Sequence, residues 1–179
     1  MAASASVGDL DQQTIIRDGG CTVIVDIQYW PVVFATWFGE ATEAVVRQHL
    51  AVTEKLLARA RTQHERYLSI SDAAFSERPN AKVRKALADQ MKTRAKDVKE
   101  LEIANLVIIE NALIRSVMTA LTWLAPQMIE VEIVGDLGSA IERALHLLDR
   151  ERIAHPRGLS VAQYRRPTPE APRSAPARR

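Results

Sequence analysis

The 179-residue sequence predicts an α/β domain: a mixed sheet of four or five strands packed with about four helices. Three observations lead there. The hydrophobic period switches between two and about 3.6 several times along the chain. The first two strands are joined by a short link, which makes an antiparallel hairpin, whereas later strands are separated by helix-length segments that require crossovers and favour parallel neighbours. The composition, 47% hydrophobic and 26% charged, is that of a globular protein, and no apolar run approaches the ~20 residues that span a bilayer.

Each element has a local reason. Cys21, Val23, Val25, Ile27 and Tyr29 alternate with more polar residues, and after Trp30-Pro31 the run 32–38 reads as a second strand ending at Gly39. Upstream, 14–17 before Asp18-Gly19 is a short candidate strand and turn. Thr42 is placed to cap a helix to about Arg61, with Val46, Leu50, Leu57 and Ala60 on one face. The segment 67–71 is a short strand. Ser76 or Arg78 then caps a helix near Pro79, with Val83, Leu87, Met91, Ala95 and Val98 as its stripe. The nearly continuous apolar run 103–109 suits a strand buried on both faces. A helix over 111–124 stops before Pro126. Alternation over 128–134, with Glu130 and Glu132 on one side, suits an edge strand. Asp136 caps a last helix carrying Leu137, Ile141, Ala144, Leu145 and Leu148.

Charge divides the chain. Residues 151–179 hold seven arginines against two acids, a net of +5, whereas 1–150 carry 17 basic and 20 acidic residues, a net of −3. Five of the eight prolines also lie in that last segment. The expected organisation is a disordered segment 1–13, a single domain 14–155, and a disordered Pro/Arg-rich tail 156–179. Nucleic acid is expected only weakly, through the tail's arginines. The N-terminal residues have neither a basic start nor an apolar stretch, so the expected location is cytoplasmic.

The element order and several local runs resemble the STAS family, named after sulfate transporters and anti-sigma-factor antagonists, and within it the bacterial anti-anti-sigma-factor-like proteins. The residues that carry the likeness are Trp30-Pro31-Val32-Val33 leading to Gly39, then Ala104-Asn105-Leu106-Val107-Ile108-Ile109. Leu113-Ile114-Arg115-Ser116-Val117, Leu121-Thr122-Trp123-Leu124-Ala125-Pro126 and the Gly135-Asp136 helix start complete it. The resemblance implies a regulatory, protein-binding domain without catalysis. Phosphorylated antagonists of the family carry Asp-Ser-Ser-Gly-like residues where the strand meets the second helix. This chain has Ser71-Asp72-Ala73-Ala74-Phe75-Ser76 there, with neither the paired hydroxyls nor the glycine, so the fold and the interaction role are what carry over.

Candidate chemistry is sparse. His49, His64, His146 and His155 lie in separate elements without metal-ligand spacing, and a single cysteine, Cys21, opens a strand on its apolar side. No catalytic residue, metal site or cofactor is expected. The leading expectation is docking to a protein partner, or to a second copy, through the outer arc of the 111–124 helix. Trp123 would be the aromatic anchor there, with Ser116 and Thr119 beside it and Arg115 at the rim. The alternative is a small-ligand or anion site in the crevice at the carboxyl ends of the strands, around Ser71, Asp72, Ser76 and Asn111, where α/β proteins commonly bind ligands. The plainer account of these residues is helix capping by Ser76 and Asn111, and pairing of Asp72 or Glu110 with Arg115. A third expectation is phosphorylation control at Ser71 or Ser76.

Overall fold

The structure, a computed structural model, describes residues 10–77, 79–110 and 131–169, the side chains of 90–95 excepted. Its elements are β1 (Gln13–Asp18), β2 (Cys21–Asp26), β3 (Val32–Gly39), α1 (Glu43–Gln63), β4 (Tyr67–Ser76), α2 (Ala81–Leu101), β5 (Glu102–Ile108), β6 (Val131–Val134) and α3 (Leu137–Arg150). The strands form one sheet in the order β1-β2-β3-β4-β5-β6. Pairing is antiparallel from β1 to β3 and parallel from β3 to β6. The expected mixed α/β architecture is therefore present, with six strands among the described residues rather than four or five, because the segment around 14–17 is a full strand paired over its length with β2.

The β1–β2 turn shows how tightly this corner is drawn. Gly39 closes β3 at φ +73°, and a Cβ there would sit 2.2 Å from the carbonyl oxygen of Gly20, so only glycine fits. Thr42 fastens the same corner, its hydroxyl donating to Asp18 Oδ2 at 2.6 Å while its oxygen accepts from the Val45 N–H as the cap of α1.

The second helix starts later than expected. Its cap is Asn80, whose side-chain oxygen accepts from the N–H groups of both Lys82 and Val83, rather than Ser76 or Arg78. The reason is that β4 runs on to Ser76, paired with Gly39, well past the expected end at Ser71. Asp136 caps α3 as expected, accepting from Ser139 N at 2.8 Å. That hydrogen bond holds its carboxyl below the usual aspartate range.

Alternation along the strands sorts side chains onto two faces. Val23, Val25, Val33, Ala35 and Tyr67 lie under α1 and α2, with Val45, Leu56, Leu57 and Ala60 among the residues packed on them. Val32, Phe34, Leu68, Ile70, Leu106 and Ile108 face the other way, against Ala140, Ile141, Ala144, Leu147 and Leu148 of α3. A smaller group, Val107 and Ile109 with Val131 and Ile133, sits at the β5–β6 edge.

The second face also corrects the expectation of a disordered tail from 156 onward. Residues 156–169 run across the sheet as a strap. Tyr164, 3% exposed, stacks on Phe34 with ring centroids 4.1 Å apart and meets Tyr29 edge-on at 5.7 Å. Leu159 and Pro167 are buried with it. Arg166 ion-pairs with Asp72 at 2.7 Å and with Glu110 at 2.9 Å, and Arg17 donates to the Pro169 carbonyl at 2.6 Å. Helix α3 leaves the β3 side of this face uncovered, and a sheet face must be buried against something. Proline, read from composition as a marker of disorder, also lowers the entropy lost when a fixed segment docks.

Candidate functional site

Among the described residues, the sheet face under α1 and α2 is not filled. β4 turns Ser69, Ser71 and Ala73 toward the helices, beside Ala35 of β3 and Asn105 of β5, where larger apolar side chains would close the gap. The outcome is a cavity of about 260 Å³, roofed by His49, Leu50, Thr53 and Leu56 of α1 and by Leu87 and Val98 of α2. At roughly 30 Å³ per water in the liquid, that volume corresponds to about nine waters, against walls that are mostly apolar. Tyr67 and Ser76, at the two ends of β4, both line it.

Its polar groups are gathered on the β4–β5 floor. The Ser71 hydroxyl donates to Asn105 Oδ1 at 3.1 Å. One pleat away, the Ser69 hydroxyl donates to the carboxyl of Glu102, the residue at which α2 ends and β5 begins. Glu102 is 8% exposed, and among the described residues no cation forms an ion pair with it. Burial pushes its carboxyl up to about 7, the Ser69 hydrogen bond opposing that rise. Trp37 closes one wall, meeting His49 edge-on with ring centroids 4.9 Å apart.

The sequence candidates divide between the two faces. Ser71 and Ser76 line the cavity, both half-buried, with the Ser76 hydroxyl donating to the Ala73 carbonyl at 3.0 Å. Asp72, one residue from Ser71, points to the opposite face, where it is 1% exposed and accepts from Arg166 and from the Ala74 N–H. The described part of the strand-end crevice on that face is thus acidic and already occupied by the strap's guanidinium, which is the reverse of an anion site. Arg166 ion-pairs with both Asp72 and Glu110. Asn111, Arg115, Ser116, Thr119 and Trp123 lie outside the described residues. Reasoning from sequence missed Ser69, Glu102, Asn105 and Arg166. A signal for three of them was present: two inward serines on β4, and an acid and an amide bracketing the start of an apolar strand.

Among the described residues no three His, Cys, Asp or Glu side chains are grouped to hold a metal ion, and no helix is long and apolar enough to cross a membrane.

Fold and site together define a helix-covered mixed sheet with a ligand-sized apolar cavity on one face. In particular, the chain is similar to a solved structure from Shewanella loihica PV-4, an uncharacterised protein from the DUF3478 family with a SpoIIAA-like fold. That likeness has 14% identity and a TM-score of 0.49, covering 74% of this chain and 91% of that one. A second solved structure, described as Mglu, matches at 13% identity and a TM-score of 0.28 over 69% of this chain and 19% of its own. No family model and no curated protein matches the chain.

Proposed function

We propose that this chain is a non-enzymatic regulatory domain that senses a small, largely apolar molecule held in the cavity between β4 and the α1–α2 pair. The observation that carries this reading is the cavity itself: about 260 Å³ of mostly apolar space with its few polar side chains converging on one floor. That is the usual make-up of a small-molecule site, apolar walls for affinity and a few polar groups for orientation. An unused cavity of this size is costly, because wall atoms lose packing contacts that no ligand replaces. The α/β order expected from the STAS resemblance supports the regulatory part only as a fold-level analogy.

The test is calorimetric titration of the full chain with 1-naphthylmethanol, a neutral probe of 12 heavy atoms. At about 0.5 kcal/mol per heavy atom the expected dissociation constant is on the order of tens of micromolar. Ala73→Leu, which projects three further carbons into the cavity, is expected to weaken binding at least ten-fold while leaving the melting temperature unchanged or higher. Absence of binding to the unaltered chain, or equal binding to the variant, contradicts the proposal.

A second reading, output through a protein contact, is favoured by one observation. Phe75 is 48% exposed, stacked on Phe38 with centroids 5.3 Å apart, and the Arg166 guanidinium lies 5.2 Å from its ring. Aromatic and arginine side chains dominate interface energetics. The expected docking face around Trp123 belongs to this reading as well. A purified partner bound by the unaltered chain and lost by Phe75→Ala supports it, and equal binding by both counts against it.

A further inference from the structure

The cavity has one feature that a purely apolar ligand does not need. Glu102 is more than nine-tenths buried, lines the cavity, and receives a hydroxyl hydrogen bond from Ser69. Buried carboxyl groups in folded proteins are ordinarily paired with a cation, because an isolated charge of this kind is expensive to desolvate. The other buried carboxyls have their partners within the fold: Asp72 has Arg166, and Asp26 accepts from the backbone N–H and the side-chain amide of Gln28. Among the described buried carboxyls Glu102 is the one that lines the cavity, and its partner there is the neutral Ser69 hydroxyl.

We infer that the ligand carries a cationic amine, an ammonium group on an apolar body, and that Glu102 with Ser69 is the seat of that group. An ammonium supplies three donors and the missing charge, and its hydrogen bond to a carboxylate in a water-poor site is stronger than a neutral one. The Ser71–Asn105 pair, two residues further along β4, offers a hydroxyl and an amide to a second polar group of the ligand, while Trp37 and Leu56 enclose its body. This inference rests on the proposed ligand-sensing function and adds to it the charge of the ligand. Among the described residues, the other titratable side chains on the cavity are Tyr67 of β4, His49 of α1 and Glu77 after β4.

Three probes of closely similar size separate the two ideas: 1-naphthylmethylamine (cationic at pH 8), 1-naphthylmethanol (neutral) and 1-naphthoate (anionic). In titrations of the full chain at pH 8 the amine is expected to bind at least ten-fold tighter than the alcohol, and the naphthoate weakest. In Glu102→Gln, which keeps the shape and removes the charge, the preference for amine over alcohol is expected to fall below two-fold. In the unaltered chain the preference is expected to shrink as the pH is lowered from 8 to 5, and to shrink equally in His49→Gln. Should Glu102→Gln fail to fold, that pair of pH profiles decides the matter. Equal binding of amine and alcohol at pH 8, or a preference that survives Glu102→Gln or does not change with pH, overturns the amine assignment while leaving the cavity as a site. Failure of the alcohol itself to bind overturns the proposed function.

Discussion

Replacing Glu102 by glutamine has an effect on stability that changes with pH in a defined direction. Burial raises the Glu102 carboxyl from 4.5 to about 7 in the folded chain, so the folded state holds that proton more firmly than the unfolded chain does. A raised pKa contributes stability that is complete below pH 4.5 and is lost as pH rises through about 7. The difference of about 2.5 units corresponds to about 3 kcal/mol at most. Above pH 7 the unaltered chain therefore folds around a buried carboxylate, whereas the glutamine variant does not. Urea denaturation of both chains at pH 4.5 and pH 8 measures this directly, because every other titrating group cancels in the comparison. Glu102→Gln is expected to gain about 2–3 kcal/mol relative to the unaltered chain on going from pH 4.5 to pH 8. A difference that stays constant with pH, or one that moves the other way, refutes the placement of an ionisable carboxyl in the apolar cavity. An amine ligand at pH 8 is expected to offset the same penalty, so its stabilising effect should be larger on the unaltered chain than on the variant.

Other expectations concern the strap and the second face. Tyr164→Ala removes a ring stacked on Phe34 and is expected to destabilise the chain by about 3 kcal/mol in chemical denaturation; a loss below about 0.5 kcal/mol would return residues 156–169 to the status of a loose tail. Arg166→Ala leaves Asp72 buried without its cation and is expected to cost about 3 kcal/mol, visible as a lower denaturation midpoint. Thr36, 1% exposed on β3, has a hydroxyl with no hydrogen-bond partner among the described residues, so Thr36→Val is expected to be neutral or to raise the melting temperature slightly, and a clear fall would reveal a partner for that hydroxyl.

Much of this fold is legible in the sequence wherever the signal is local. The β2–β3 hairpin follows from alternation on each side of Trp30-Pro31, and Thr42 and Asp136 are recognisable caps because a short oxygen-bearing side chain precedes an amphipathic run. The errors come where a distant partner decides. Asp72 and the two alanines after it look like a strand end, yet β4 continues because Arg166, 94 residues on, satisfies the Asp72 carboxylate and Gly39 pairs with Ser76. The strap was hidden by its own prolines: what orders it is the stack of Tyr164 on Phe34, a contact no local pattern encodes. Likewise Ser71 and Ser76 stand out as hydroxyls at a strand end, but the cavity floor exists only through the parallel register that sets Ser69 opposite Asn105 and brings Glu102 beside β4.

The most direct test of the account is to locate the probe. Nuclear Overhauser effects between the aromatic protons of 1-naphthylmethanol and the methyl groups of the full chain report which side chains it touches in solution. The account predicts contacts to Val33, Ala35, Leu56 and Val107, on the face under α1 and α2. Contacts instead to Leu68, Leu106 or Leu147 on the α3 face, or none at saturating probe, would contradict it.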